Sequence, residues 1–520
     1  MDRVERDSVR PNFVNNGAMV LGYVPFTPNI RSQTNAVAAF FKRPAMYHPF
    51  RPDIREMYRV WIVNVYIPNR LTYCRPYQRK DQIEYIMTLD VSLPMKRKMI
   101  DYVWKVRQQG GIVNNKDKVI ELFIKNEFYD VPDKFPRLIM PKTAKCRAWF
   151  GACIHGLVET MMYFPTSIKA VPVYLRAQYI REKLGHLGEV VEFDLSSQES
   201  SCDPWMIENV LRPCYLAFSG GKDNDMINNF LDIKAAHQKY RYGSMRFESQ
   251  GMNNSGDVDT GYCNFVQNDA ASSFCKYLET QEMFTGTIEG DDGTGEVVPN
   301  MQEIYTALGY TMKLELKSTL ADASFCRISC GGTNNLTDAL YALCKLGWSS
   351  AQYLWASQEK LYGLLRAKCM SYICQFAGCP IIFPVCVAIY CALEGITPIR
   401  PTDWWEQEKL KCWKPELLAF QVLDGDRVEY ARKFGIPVSY QHSIERELID
   451  DIRRSGKELQ CLYSPSLIAL LEIVKPSFGR NFEDKVAMVY DEQQLRETNL
   501  FRSLDNILNN DFRELIHTTH

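Results

Sequence analysis

The sequence predicts an α+β fold, with strands gathered in the middle of the chain and helices in its last third. Strand-like runs flank a short acidic turn: "GEVVEFDL" at 188–195, then "TGTIE" and "GEVV" on either side of "GDD". From 336 to 393 apolar residues recur at helical spacing. Strands followed by a run of helices is the α+β pattern. With 520 residues, 46% hydrophobic and 24% charged, the chain is long enough for a large core divided among subdomains.

The composition excludes several classes. A formal net charge of −1 gives no sign of a nucleic-acid partner, although a basic channel can lie inside a neutral protein. Seventeen cysteines, odd in number and irregularly spaced without a C-x-x-C pair, argue against a disulfide framework or a zinc site and for buried free thiols. The start, "MDRVERDSVR", lacks the apolar core of a signal peptide. The stretch from Met370 to Ile396 is long enough to span a membrane, but Gln375, Gly378, Pro380 and Pro384 interrupt it. Two buried helices joined at "GCP" are expected there, and no intrinsic membrane span. H-E-x-x-H and P-loop patterns are absent.

In chain order, "SLPMKRKMIDYVWKV" reads as an amphipathic helix. "FIKNEFYDVPDKFPRLIMPKTAKCR" sets Lys125, Lys134, Arg137, Lys142, Lys145 and Arg147 among short apolar runs, where they could hold phosphates. "EVVEFDL" reads as a strand that Asp194 closes, and "DPWMIENVLRPCYLAF" as a helix. "SQGMNNSGDVDTGYCNF" is a Gly/Ser/Asn loop running into a helix that Asp257 or Asp259 could cap, with Thr260 and Asn264 on one face. Residues 401–412 read as a surface loop and 491–516 as a closing helix.

Asp291 and Asp292 sit between glycines at what reads as a hairpin tip. Adjacent carboxylates raise each other's pKa unless a cation is present, and hard Mg²⁺ suits carboxylate oxygens. If the Asp194 strand lies beside this hairpin, the acids face one another across a metal site suited to phosphoryl or nucleotidyl transfer. Taken singly, each element has a plainer reading: a solvated turn, a capping aspartate, an ordinary helix start, a solvated basic face.

Taken in order, the elements resemble motifs F, A, B and C of viral RNA-dependent RNA polymerases. "ALGYTMKLELKS" resembles motif D, and "ADASFCRISC" motif E. "PRLIMPKT", "IKAVPVYLRAQYI", "SGDVDTGYCN" and "EGDDG" are most similar to the tombus-like and noda-like group of positive-strand RNA viruses. The resemblance covers about residues 121–395. It implies a right-hand fold with fingers, a palm built on a central antiparallel sheet, and a mostly helical thumb. Fingers would come from 1–188 and 204–252, palm from 189–203 and 253–332, and thumb from 333–520.

It also implies RNA-directed RNA synthesis by nucleotidyl transfer onto an RNA 3′-hydroxyl. Asp194, Asp291 and Asp292 would be the catalytic, metal-binding carboxylates for Mg²⁺, with Mn²⁺ as a substitute. Lys317, with Lys313 as its rival, would be the general acid for pyrophosphate. Lys125, Glu127, Arg137, Glu199, Ser255, Gly256, Thr260 and Asn264 would bind nucleotide and template. Glu199 stands where many relatives have Asp and would read the ribose 2′-hydroxyl together with Asn264. Partners would be template and product RNA, nucleoside triphosphates and other viral replication proteins, in a replication complex of the host cytoplasm. The alternatives are a non-catalytic RNA-binding protein of similar fold, or a reverse transcriptase.

Overall fold

The computed structural model describes residues 12–20, 26–113, 118–129, 134–401 and 403–474, which form a mixed α+β structure of many helices and small sheets. The closing helix expected at 491–516 lies outside the described residues.

The largest sheet has four antiparallel strands: β1 (Val190–Ser196), β2 (Gly286–Glu289), β3 (Asp292–Glu296) and β4 (Thr311–Lys317). Their order is β4-β1-β3-β2. Alternation along β1 explains its two faces. Val191, Phe193 and Leu195 enter the core, while Glu192, Asp194 and Ser196 stay half-buried on the other side. The core face packs with helices α1 (Thr260–Thr280) and α2 (Met301–Leu308), through Phe265, Val266, Met301 and Tyr305. Two details differ from the sequence reading. β1 continues two residues past Asp194, and β3 begins at Asp292 itself, ahead of the valines expected to form it.

The helix expected at 203–218 forms, capped by the Asp203 carboxylate, which accepts from Met206 N at 2.9 Å. It widens to a π turn at Ile207–Leu211, just before Pro213. The helix Pro52–Leu71 does the same at Ile62–Tyr66, before Pro68. Proline lacks an N–H and crowds the carbonyl four residues back, and a wider turn relieves both.

One buried ion pair ties three segments together. Arg70 donates to both Asp269 oxygens at 2.7 Å, with both side chains almost wholly inaccessible. Tyr66 and Thr166 hydroxyls donate to the same carboxylate at 2.8 and 2.7 Å.

The C-terminal third has its own apolar cluster, running from Leu336 to Leu471 and including Ala18 and Val20. The two buried helices appear as Gln358–Gln375 and Ile382–Ala392. Among the described residues no helix is long and apolar enough to cross a membrane. The surface loop expected at 401–412 instead contains a helix, Trp404–Leu410, begun by Asp403, whose carboxylate caps Glu406 N at 3.0 Å. The cysteines are free thiols and most are buried as small apolar side chains.

Arg70→Met leaves Asp269 charged in the core, and should cost about 3–5 kcal/mol of stability in equilibrium denaturation.

Candidate functional site

The hairpin turn has two central residues, Gly290 and Asp291, with Glu289 and Asp292 paired across its base. Gly290 alone has positive φ, +66°, the pattern of a type II′ turn with glycine first. A side chain at the next glycine, Gly293, is excluded for another reason. Its Cβ would lie 2.2 Å from Cζ of Phe193, its cross-strand partner. The Asn268 amide on α1 supports the turn from below, donating to Gly290 O at 3.2 Å and Asp291 O at 3.3 Å.

Register then sets the chemistry. Asp292 is opposite Asp194 on one side and Glu289 on the other, and Asp194 is opposite Lys313. Directly opposite residues share a face, so Glu289, Asp292, Asp194 and Lys313 form a charged row across the sheet. Asp291 adjoins this row from the turn, and its backbone oxygen accepts from Leu195 N at 3.2 Å. The register therefore brings Asp194 opposite Asp292, 98 positions along the chain, with Asp291 next to it at the turn.

Their charges are uncompensated in part. Burial, then the Asp194 charge and that of Glu199, push Asp291 up to about 6, against the pull of Arg137. Asp291 keeps accessible surface, but surrounding protein has displaced much of its bulk water. Burial, then Asp291 and Asp194, push Asp292 up to about 7. Glu289 goes the other way. Burial opposes its ionisation, yet Lys169 and Arg176 hold it down at about 2.

Among the described residues no three His, Cys, Asp or Glu side chains are gathered into a ready-made metal cage. The donor set nonetheless fits Mg²⁺, which is commonly held by one or two carboxylates and completed by substrate phosphates. Asp194, Asp291 and Asp292 would supply those carboxylates, and a cation there would oppose the burial and like-charge repulsion that raise Asp291 and Asp292.

The basic segment meets this row. Strands Phe123–Ile124 and Leu138–Ile139 pair, and at their end Lys125 and Arg137 lie 3.0 and 3.5 Å from the Glu127 carboxylate. Burial opposes the Arg137 charge, but Glu127, Asp291 and Glu199 outweigh it and raise its pKa. Lys142 is not free for phosphate, because its ammonium is committed to Asp257. That bond docks the Ser-Gly loop on the basic segment, reinforced by Met140 N donating to Ser255 O at 2.7 Å. Gly256 sits at the loop tip with φ +99°. Asp257 and Asp259 do not cap α1 with their side chains. Asp259 instead forms a wholly buried pair with Lys234, at 2.6 Å. The Thr260 hydroxyl, likewise, donates to Asn254 O at 2.7 Å.

Glu199 and Asn264 are not hydrogen-bonded to each other. Glu199 is 3.2 Å from Arg43, and the Asn264 side-chain oxygen accepts from Asn253 at 2.6 Å. The two lysines are also separated. Lys313 is exposed and in register with Asp194. Lys317 pairs with Val190, roughly 13 Å further along the strand, and binds Glu315 at 2.5 Å.

Sequence reasoning gave no role to Arg43, Lys169, Arg176, Asn268 or Glu289. Lys169 and Arg176 lie within "IKAVPVYLRAQYI" and Glu289 within "EGDDG", so these three carried a signal that was not assigned to individual residues, whereas Arg43 and Asn268 carried none. Compared with models of known protein families and with curated proteins, the chain matches none.

The raised carboxyls predict a pH dependence of stability. From about pH 4 to 7 the folded chain holds protons on Asp291 and Asp292 that the unfolded chain has released, so stability falls as pH rises through that window. Asp292→Asn should raise Tm at pH 8 and change it less at pH 5. Millimolar Mg²⁺ at pH 8 should raise the wild-type Tm, and do so less in Asp194→Asn and Asp291→Asn.

Proposed function

We propose that the chain is an RNA-directed RNA polymerase with a right-hand architecture, adding nucleoside triphosphates to a growing RNA 3′-hydroxyl. The observation that carries the reading is the pairing of Asp194 with Asp292, with Asp291 adjoining at the turn. The order of segments around it gives further support: a basic strand pair, an acidic strand, a Ser-Gly loop entering a helix, and an acidic hairpin.

Each group has a task in this reading. Mg²⁺, when bound, supplies positive charge for the attacking hydroxyl and the triphosphate. Asp194 and Asp291 hold it and Asp292 supports them. Arg137 and Lys125 meet the triphosphate, with Glu127 orienting both. The Ser255–Gly256 tip and Thr260 border the template and the incoming nucleotide. Glu199, held by Arg43, and Asn264 accept the ribose 2′-hydroxyl as separate groups. Lys313 takes the role of general acid in preference to Lys317, because it lies beside Asp194 without a carboxylate within ion-pair distance among the described residues. Base pairing with the template supplies sequence selection, so the protein needs no base-reading motif.

Incorporation of labelled nucleotide on an RNA template is the direct test. Activity should fall to background in Asp194→Ala and Asp291→Ala, with RNA binding kept. Lys313→Met should lower kcat by about 100-fold, and Lys317→Met by much less. In rNTP/dNTP competition the wild type should prefer ribonucleotides, and strong preference for deoxynucleotides would refute the assignment.

A further inference from the structure

The acidic hairpin is clamped by a segment to which the proposed chemistry gives no part. β2 is the outer strand of the sheet, and residues 165–183 cover it. Ile288 N donates to Thr166 O at 2.8 Å, beside a parallel bridge between Ser167 and Ile288. Lys183 donates to Gly286 O at 2.7 Å. At the far end of β2, Lys169 and Arg176 lie 3.0 and 2.5 Å from the Glu289 carboxylate. Thr166 also binds Asp269, the acid of the buried Arg70 pair. Arg176 is set in place by Asn335, which accepts from Ala177 N at 2.9 Å and donates to Val173 O at 2.6 Å.

Glu289 faces Asp292 directly and closes the turn that carries Asp291. Like charges opposite each other on a sheet push strands apart. Two cations on one carboxylate remove that push and fix the strand end at the same time.

We propose that Lys169 and Arg176 are positioning residues for the Asp291–Asp292 turn, acting through Glu289. They touch neither substrate nor metal. They hold the row flat enough for Asp292 to stay opposite Asp194. The kinetic part of the proposal rests on the polymerase reading, whereas the structural part does not.

The experiment therefore has two arms on the full chain. In amide hydrogen exchange, Arg176→Gln should speed exchange in peptides covering 286–296, Arg176→Lys should restore the wild-type rate, and both should keep the wild-type Tm within a few degrees. Unchanged exchange in 286–296 for a folded Arg176→Gln would overturn the proposal, whatever the enzyme does. In nucleotide incorporation, Arg176→Gln should lower kcat about 10- to 100-fold with KM for nucleotide little changed. The double variant Arg176→Gln/Glu289→Gln should be no worse than Glu289→Gln alone, because the charge needing neutralisation is gone. Independent, multiplying losses, or a raised KM at constant kcat, would show that Arg176 acts elsewhere. A wild type without incorporation would defeat the polymerase reading and leave the exchange arm to decide the clamp.

Discussion

Strand register is the constraint from which the site follows. Asp194 faces the charged row because Phe193 and Leu195 face the core, and the period of two allows no compromise. A slip of one residue would bury Asp194 among Phe284 and Tyr305 and expose Phe193. The hydrophobic cost of that slip holds the carboxylate in place. Phe193 also packs on Gly293, so the same ring that anchors β1 selects the glycine that follows the acid pair.

Around this row the structure sorts its charges by whether they are answered. Asp269 and Asp259 are wholly buried and paired with Arg70 and Lys234, and the half-buried Glu289 is paired with both Lys169 and Arg176. The wholly buried pairs fix geometry, since losing the one cation strands a charge in a medium that cannot solvate it. Among the described residues Asp291 and Asp292 have no cation within ion-pair distance; the Arg137 charge acts on Asp291 and the Cys326 thiol on Asp292, yet both keep raised pKa values. Acids raised by burial and by each other's charge, beside acids held down by cations, are the arrangement on which the proposed cation site draws.

The basic segment and the Ser-Gly loop extend this arrangement. Lys142, legible in the sequence as one of six cations, is spent on holding the loop by Asp257. Arg137 keeps its charge beside Asp291 and Glu199. The loop is anchored by buried polar contacts around Asn253, Asn254 and Lys234, so its tip at Ser255–Gly256 is presented from a rigid base.

Much of this was legible in the residues alone. Alternation marked β1, a glycine before the acids marked the turn, and interrupting prolines marked paired helices in place of a membrane span. The acidic site itself was legible as a conditional: three carboxylates that matter only if two segments meet. Local pattern could not reach further, because pairing between distant strands is decided by how faces bury together. Tertiary structure alone put Lys313, and not Lys317, beside Asp194, since register depends on both strands at once. It alone turned Asp259 away from its cap toward Lys234, and brought Lys169 and Arg176 to Glu289, because a buried charge takes whichever partner the fold delivers.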